Sequence, residues 1–251
     1  MIESGGQLGH HAAQRATRYV SVVIPAYNEE HRIGSTLKRI HKYLTSQGLS
    51  FEIIVVSDGS TDGTEFLVAR LSRELRGLAL LHYKLNRGKG YAVKQGVLAA
   101  SGRFIVVTDA DLSTPIEESV KLLSSCERGV DIAFGSRALP GSEITVSQSF
   151  IRRVMGRGFN LIVQALALPG VKDTQCGFKC LGAAAARDLF SSQVTDGFAF
   201  DVELLMRAKR QGYRIQEVPI KWFDAPASTV RPFSDAFKMF RDVLRVRKLF
   251  K

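Results

Sequence analysis

Long apolar runs are missing from this 251-residue chain. No stretch approaches the ~18–20 residues that a membrane span needs. The best candidate, Leu161–Leu168, contains Gln164 and stops at Pro169. Cysteine is scarce: Cys126, Cys176 and Cys180 leave at least one thiol unpaired and their spacing fits no zinc template. Reduced thiols in a cytosolic protein are therefore expected, not a disulfide framework. The first eighteen residues hold no apolar h-region, which argues against a signal peptide and for a polar, mobile lead-in. Two phosphate-binding signatures are also absent, the G-x-x-x-x-G-K-[ST] loop and a G-x-G-x-x-G opening the first crossover. That excludes a Walker loop and weakens an NAD reading. Acidic residues are outnumbered, 24 against 35 basic ones, for a net charge of +11. Such a balance favours phosphate-bearing partners: nucleotides, nucleic acid or an anionic membrane surface. The basic residues are dispersed and no recognised nucleic-acid motif occurs, so nucleic acid is set aside. With 45% hydrophobic and 24% charged residues the composition is that of an ordinary globular chain able to form a core without cross-links.

What is present is a rhythm. Short Val/Ile-rich runs begin at Val20, Phe51, Ala79, Arg103 and Val130, and between them lie helical patterns over 30–46, 62–76, 89–100 and 115–126. Near-continuous apolar runs mark strands covered on both faces, and their alternation with helices predicts a parallel sheet with right-handed crossovers. The fold class expected is α/β, doubly wound and mostly parallel, with a Rossmann-like N-terminal half. Asp62 with Glu65 reads as a capping box ahead of the second helix. Gly48, Gly77, Gly102 and Gly129 stand where helix C-cap glycines belong. After residue 135 the rhythm changes: a helical pattern over 148–168, an irregular DTQCGFKCL segment, helices near 182–190 and 199–211, and a strand near 214–220. No linker separates domains. The expected organisation is a lead-in over 1–18, one catalytic domain over 19–233 and a basic amphipathic helix over 234–251. In that helix Phe237, Phe240, Val243, Leu244 and Phe250 share one side, and Lys238, Arg241, Arg245 and Lys248 the other. It suits either a membrane interface or docking on the chain's own domain.

In open α/β sheets ligands bind beyond the carboxyl ends of the strands. Polar clusters fall there: Pro25-Ala26-Tyr27-Asn28-Glu29, Asp58-Gly59-Ser60-Thr61-Asp62, Asn86-Arg87-Gly88-Lys89-Gly90, Asp109-Ala110-Asp111 and Gly135-Ser136-Arg137. Each alone is ordinary turn chemistry; five on one edge are not. Two carboxylates held close repel unless a cation intervenes, so Asp109 and Asp111 point to Mg²⁺ or Mn²⁺ shared with substrate phosphates. Lys89, flanked by glycines, can offer a cation and exposed N–H groups to a phosphate. Asp58 is placed to accept hydrogen bonds from a base or ribose. Together these suit group transfer from a nucleotide-activated donor.

Read in order, VSVVIPAYNEE, IIVVSDGSTDGT, NRGKGYAV, VVTDADLSTP and FGSR resemble the family-2 glycosyltransferases of the GT-A fold. DTQCGFK, FAFDVELL and EVPIKW resemble the branch acting on polyprenyl phosphates, the dolichyl-phosphate glucosyltransferases and mannosyltransferases, with DTQCGFK more like the glucosyl side. The resemblance implies an inverting hexosyl transfer, with UDP-glucose as the first donor and a polyprenyl or dolichyl phosphate as acceptor. It implies a nucleotide-binding half over 19–137 and an acceptor half over 138–233. Pro25, Ala26, Tyr27, Asn28, Glu29 and Asp58 would cradle the nucleoside, with Lys89 near the diphosphate. Asp109, Ala110 and Asp111 would bind the nucleotide sugar, the two acids with the metal. Asp111, Arg137 and Arg152 would carry catalysis, the arginines orienting sugar and acceptor phosphate. The chain departs from mannosyl-type relatives at Gly156, where they carry Ser, and at Ser113, where Gln is frequent. GDP-mannose as donor, or a soluble transferase acting on a hydroxyl through a base such as Asp173 or Asp201, are the alternatives. A lipid acceptor would be met peripherally at the cytoplasmic face of a membrane, through the 151–168 segment with Arg152, Arg153 and Arg157, or through the terminal helix.

Overall fold

The computed structural model describes residues 18–145, 160, 163–164, 167–223 and 232–250. Four of the apolar runs form β1 (Arg18–Ala26), β2 (Phe51–Asp58), β3 (Leu78–Tyr83) and β4 (Gly102–Val107), all parallel. β1 lies between β2 and β4, with Val22 level with Ile53 on one side and Val106 on the other. The helices between them are α1 (Ile33–Ser46), α2 (Thr64–Leu71) and α3 (Lys89–Ala99). A 3₁₀ turn, Ile116–Glu118, leads into α4 (Ser119–Glu127) and β5 (Ile132–Ser136).

The second half completes the same sheet. It supplies the ribbon strand β6 (Glu143–Thr145), β7 (Lys179–Gly182), α5 (Ala183–Ser191), α6 (Phe200–Arg210), β8 (Ile215–Pro219), β9 (Lys221–Phe223) and α7 (Pro232–Leu249). The seven-stranded order is β3-β2-β1-β4-β7-β5-β8, and β6 pairs with β9 in a separate ribbon. β7 runs antiparallel between β4 and β5. It begins inside the DTQCGFKCL segment, which sequence reasoning takes as irregular, and ends one residue past it. Four residues are too few to show a period, and Lys179 at its start breaks the apolar run.

Alternate strand residues feed two cores, which is why the runs read as continuous. Val22, Ile53, Val55 and Val106 pack with Leu37 and Ile40 of α1, Val68 of α2 and Leu122 of α4. On the opposite face Val23, Ile54, Ile105 and Val107 pack with Val93 and Val97 of α3, Leu189 of α5 and Leu205 of α6. Gly48, Gly77 and Gly129 take φ values of +64°, +86° and +93°, as helix-ending glycines do. Gly102 does not. It opens β4, where a Cβ would lie 2.6 Å from the Ser21 backbone nitrogen. The expected capping box divides: Asp62 Oδ1 accepts the Thr64 N–H, but Glu65 turns away to Ser57.

The terminal helix docks on the domain against α6. Val243 and Val246 are buried, whereas Leu244, expected on the apolar side, is exposed beside Arg241, Arg245 and Lys248. The side chains of Phe237, Lys238 and Phe240 lie outside the described residues. So do the lead-in through residue 17 and most of the 148–168 pattern, including Arg152, Arg153, Gly156 and Arg157. No helix among the described residues is long and apolar enough to cross a membrane.

Candidate active site

The chain runs from β1 outward to β2 and β3, then returns across to β4, so the sheet has its switch point between β1 and β4. Loops leaving these two strands in opposite directions open a crevice. A cavity of about 510 Å³ lies there, within the usual range for small-molecule sites. Pro25, Ala26, Tyr27 and Glu29 line it from β1, Asp58 from β2, Lys89 from α3, Asp109, Ala110 and Asp111 from β4, and Arg137 from β5. Ten of the twelve residues singled out from the sequence thus share one cavity.

Asn28 is not among the lining residues. With φ +56° it turns toward the neighbouring loop, its Oδ1 accepting the Thr61 N–H at 2.8 Å and its own N–H donating to Ser60 Oγ. It laces the β1 and β2 loops together. Arg152 lies outside the described residues. Asp58 reaches the cavity, yet its carboxylate is largely occupied: Oδ1 accepts Tyr83 Oη–H and the Arg87 N–H, each at 2.8 Å, and Oδ2 the Gly88 N–H at 2.8 Å. It holds the 86–88 loop in place. Burial, then the hydrogen bond to Asp58, pushes the Tyr83 hydroxyl well above its usual range.

The glycines around Lys89 serve packing. Gly88 gives its N–H to Asp58, and a Cβ there would lie 2.5 Å from the Asp196 carbonyl oxygen. A Cβ on Gly90 would lie 2.6 Å from that of Thr195 and 2.7 Å from Phe200 Cβ. The Gly88 N–H is thus already taken by Asp58 and is not open to a phosphate.

The two acids after β4 are not equivalent. Lys89 Nζ lies 2.5 Å from Asp109 Oδ1, which removes the repulsion inferred from the sequence. Burial raises the Asp109 carboxyl, but Lys89, with Lys179 and Arg137 farther off, holds it below the usual carboxylate range. Burial would lower Lys89; Asp109 and Asp201 outweigh that and push it up to about 12. Asp111 accepts only the Ser113 N–H, at 2.9 Å, among the described residues. That turn needs the left-handed backbone of Leu112, φ +49°, and Thr36 Oγ anchors it by donating to the Ala110 carbonyl. No three Asp, Glu, His or Cys side chains among the described residues are grouped to hold a metal ion by themselves. The donor set is one carboxylate with spare oxygens beside a second already neutralised. That fits a hard divalent ion whose remaining ligands come from a diphosphate.

Arg137 is held as a fork. Its Nε and Nη2 donate to Asp173 Oδ2 and Oδ1 at 2.7 and 2.9 Å, and its backbone N–H also reaches Oδ2. Burial raises the Asp173 carboxyl, but Arg137 overrides it and lowers it; Arg137 itself is pushed far up. Beneath the cavity Lys179 pairs with Asp201 and also donates to the Cys176 carbonyl. Burial raises the Asp201 carboxyl despite the two lysines nearby. All three cysteines are free and buried.

Sequence reasoning missed part of the lining. Gln175, Cys176, Gly177 and Phe178 come from the strap before β7, and Phe198, Trp222 and Arg32 also line the cavity. The strap's signal was its glycine: a Cβ on Gly177 would lie 2.6 Å from Asp109 Oδ2, so only glycine lets the strap close over that acid. Arg32 grips both carboxylate oxygens of Glu29, and that hydrogen bonding pushes it up.

The sequence profile of "Glycosyl transferase family 2" matches residues 21–190. A dolichyl-phosphate beta-glucosyltransferase of Dictyostelium discoideum is 36% identical over 241 residues, covering 91% of this chain and 74% of that protein. Proteins of the same name from Saccharomyces cerevisiae and Homo sapiens are each 34% identical, covering 92% of this chain and 75% of theirs. Among solved structures, glucosyl-3-phosphoglycerate synthase from Mycobacterium tuberculosis, in complex with Mn²⁺, UDP and phosphoglyceric acid, superposes with a TM-score of 0.67 at 24% identity, covering 98% of this chain and 82% of that one. The same enzyme with Mg²⁺ and UDP gives 0.66 at 21% identity, covering 98% and 84%. These structures share the GT-A fold.

Proposed function

The chain belongs to glycosyl transferase family 2 and is a glycosyltransferase, and on that premise we propose that it moves glucose from UDP-glucose to a dolichyl or other polyprenyl phosphate with inversion at the anomeric carbon. The observation that carries this reading is the gathering of Asp58, Lys89, Asp109, Asp111 and Arg137 in one cavity at the sheet's switch point. The relatives named dolichyl-phosphate beta-glucosyltransferase supply the sugar and the acceptor class.

In this reading residues 19–137 hold the donor and 138–233 the acceptor side. Tyr27 and the β1 loop face the nucleoside, with Asn28 lacing that loop to the β2 loop and Asp58 holding the 86–88 loop beside it. Lys89 meets the diphosphate, and Asp111, with Asp109, would hold Mg²⁺ or Mn²⁺, ions present in the solved complexes of the structural neighbours. When bound, that ion supplies charge neutralisation for the departing diphosphate. Arg137, pre-set by Asp173, orients the acceptor phosphate, and Arg152 is assigned to the same task. One phosphate oxygen attacks the anomeric carbon from the face opposite the diphosphate, whose bond to the sugar breaks as the new one forms. A phosphate is already anionic at neutral pH, so no strong base is required. This agrees with the side chains available: Asp173 gives both oxygens to Arg137 and Asp201 is paired with Lys179, leaving neither placed to activate a hydroxyl. Both pairings favour a phosphate over a hydroxyl acceptor. The lipid would be met from the cytoplasmic face of a membrane, with the protein attached peripherally.

Incubating the purified protein with Mg²⁺, labelled UDP- and GDP-sugars and short polyprenyl phosphates tests the proposal. Glucosyl lipid from UDP-glucose is expected, with none from Asp111→Ala, whose thermal unfolding should match wild type. Transfer without any lipid phosphate, or near-normal turnover by Asp111→Ala, would overturn it.

A further inference from the structure

The cavity follows the order of the strands. Asp58 stands at the β2 end, Tyr27 at β1, Asp109 and Asp111 at β4, and Arg137 at β5 beyond the β7 strap. A nucleotide sugar is equally linear: nucleoside, diphosphate, sugar. With the nucleoside over β2 and β1 and the diphosphate against Lys89 and Asp111, the sugar is left with the β7–β5 end. Trp222 lines the cavity there, and Arg137 Cζ lies 5.6 Å from the centroid of its ring.

Trp222 is the only tryptophan in the chain, and its backbone is pinned on both sides. The Lys221 N–H donates to Glu118 Oε2 at 3.2 Å, and the Phe223 N–H to the Ser113 carbonyl at 2.8 Å. The second bond ties β9 to the turn that carries Asp111. The backbone that carries the indole is thus fixed relative to the acid after β4, and Trp222 is half-buried against an open cavity. The Arg137 guanidinium lies over part of the ring, and the indole surface left to the cavity joins an apolar face to a cationic donor, which suits a ligand with C–H faces and hydroxyl rims.

We infer that Trp222 is the platform for the transferred sugar ring, sharing its indole face with the Arg137 guanidinium, and that this subsite selects a pyranose whose ring hydroxyls are equatorial. An axial hydroxyl pointed at the indole would lose its water without gaining a partner. The inference rests on the nucleotide-sugar reading above and deepens it.

The sole tryptophan makes the test direct. Wild-type protein with Mg²⁺ is titrated with UDP and with UDP-glucose, each followed by tryptophan emission and by calorimetry. Both should bind; UDP-glucose should change the emission and UDP should not. Calorimetric binding of UDP-glucose with the emission unchanged from that with UDP would overturn the platform and leave the donor reading standing. If neither nucleotide binds, the donor reading falls and the platform with it. Trp222→Ala should raise the KM for UDP-glucose about tenfold and leave UDP affinity within about twofold, the loss expected for one ring contact. Trp222→Phe keeps an aromatic face, and should retain most of the UDP-glucose affinity. Equal losses of UDP and UDP-glucose in both variants would mark Trp222 as structural and overturn the inference. The preference for UDP-glucose over UDP-galactose should narrow in Trp222→Ala; an unchanged ratio would overturn the selectivity claim.

Discussion

Asp109 and Asp111 are two residues apart and chemically alike, and what touches each decides its part. Lys89 pairs with Asp109 and the Gly177 strap crowds it from one side, while Asp111 keeps oxygens to spare. Gly177→Ala places a methyl 2.6 Å from Asp109 Oδ2, so the acid or the strap must shift. kcat/KM for UDP-glucose should fall about 10²-fold, the effect of a roughly 1 Å misplacement in a reacting site. Steady-state kinetics beside circular dichroism checks this, and unchanged kinetics would show that the position of Asp109 does not depend on the strap's close approach. Asp173 yields a pH prediction. Its carboxyl is held below its ordinary value in the fold, so the unfolded chain binds more protons as pH drops from that ordinary value through the folded one. The stability it contributes is therefore present at neutral pH and lost in acid. Asp173→Asn cannot titrate there. It should start less stable at neutral pH by about 2–3 kcal/mol, below the ~3–5 kcal/mol for breaking a fully buried pair because Arg137 keeps partial solvent access. It should also lose less than wild type on going to about pH 3 in urea unfolding.

At the scale of elements, α3 combines two tasks that pull against each other. Its first turn must bring Lys89 to the cavity, and its body must press on β1 and β2. Gly96 permits the second: a Cβ there would run into Val23 Cγ1 and stand 2.9 Å from Val56 Cγ2. Gly96→Ala gains ~1 kcal/mol of helix propensity against ~1–3 kcal/mol of overpacking, so Tm should fall in scanning calorimetry instead of rising as it would in an exposed helix. The strap and β7 show the converse case, a segment with little local preference of its own. It is held by pairing with β4 and β5 and by the Lys179–Asp201 pair beneath it.

Across the whole molecule, the excess of basic charge and the docked terminal helix bear on how a lipid acceptor is met. α7 spends Val243 and Val246 on the domain and turns Arg241, Arg245 and Lys248 outward between Leu244 and Leu249. An exposed face of this composition favours electrostatic contact with an anionic surface over deep insertion. Wild-type protein should sediment with anionic vesicles and not with neutral ones, and should be released as salt screens the contact. Replacing the three cations by Glu should abolish sedimentation while leaving transfer to a short, water-soluble polyprenyl phosphate intact. Undiminished sedimentation of that variant would move the contact to another surface.

The strand and helix succession, the parallel sheet and most of the cavity were legible because they rest on local order. Apolar runs alternate with amphipathic ones, and polar clusters end strands whose edge is common. Motif resemblance brought Asp109, Asp111 and Arg137 together before any coordinate did. What the linear order could not contain was which groups pair across it. Lys89 with Asp109, Arg137 with Asp173 and Lys179 with Asp201 are each separated by twenty or more residues. β7 has no periodicity of its own, and Trp222 enters the cavity only because β9 is tied back to Ser113. Chain connectivity determines what each segment can become; which charges neutralise one another, and which are left to act, is decided by three-dimensional proximity, because burial strengthens a charge interaction only once both partners are in place.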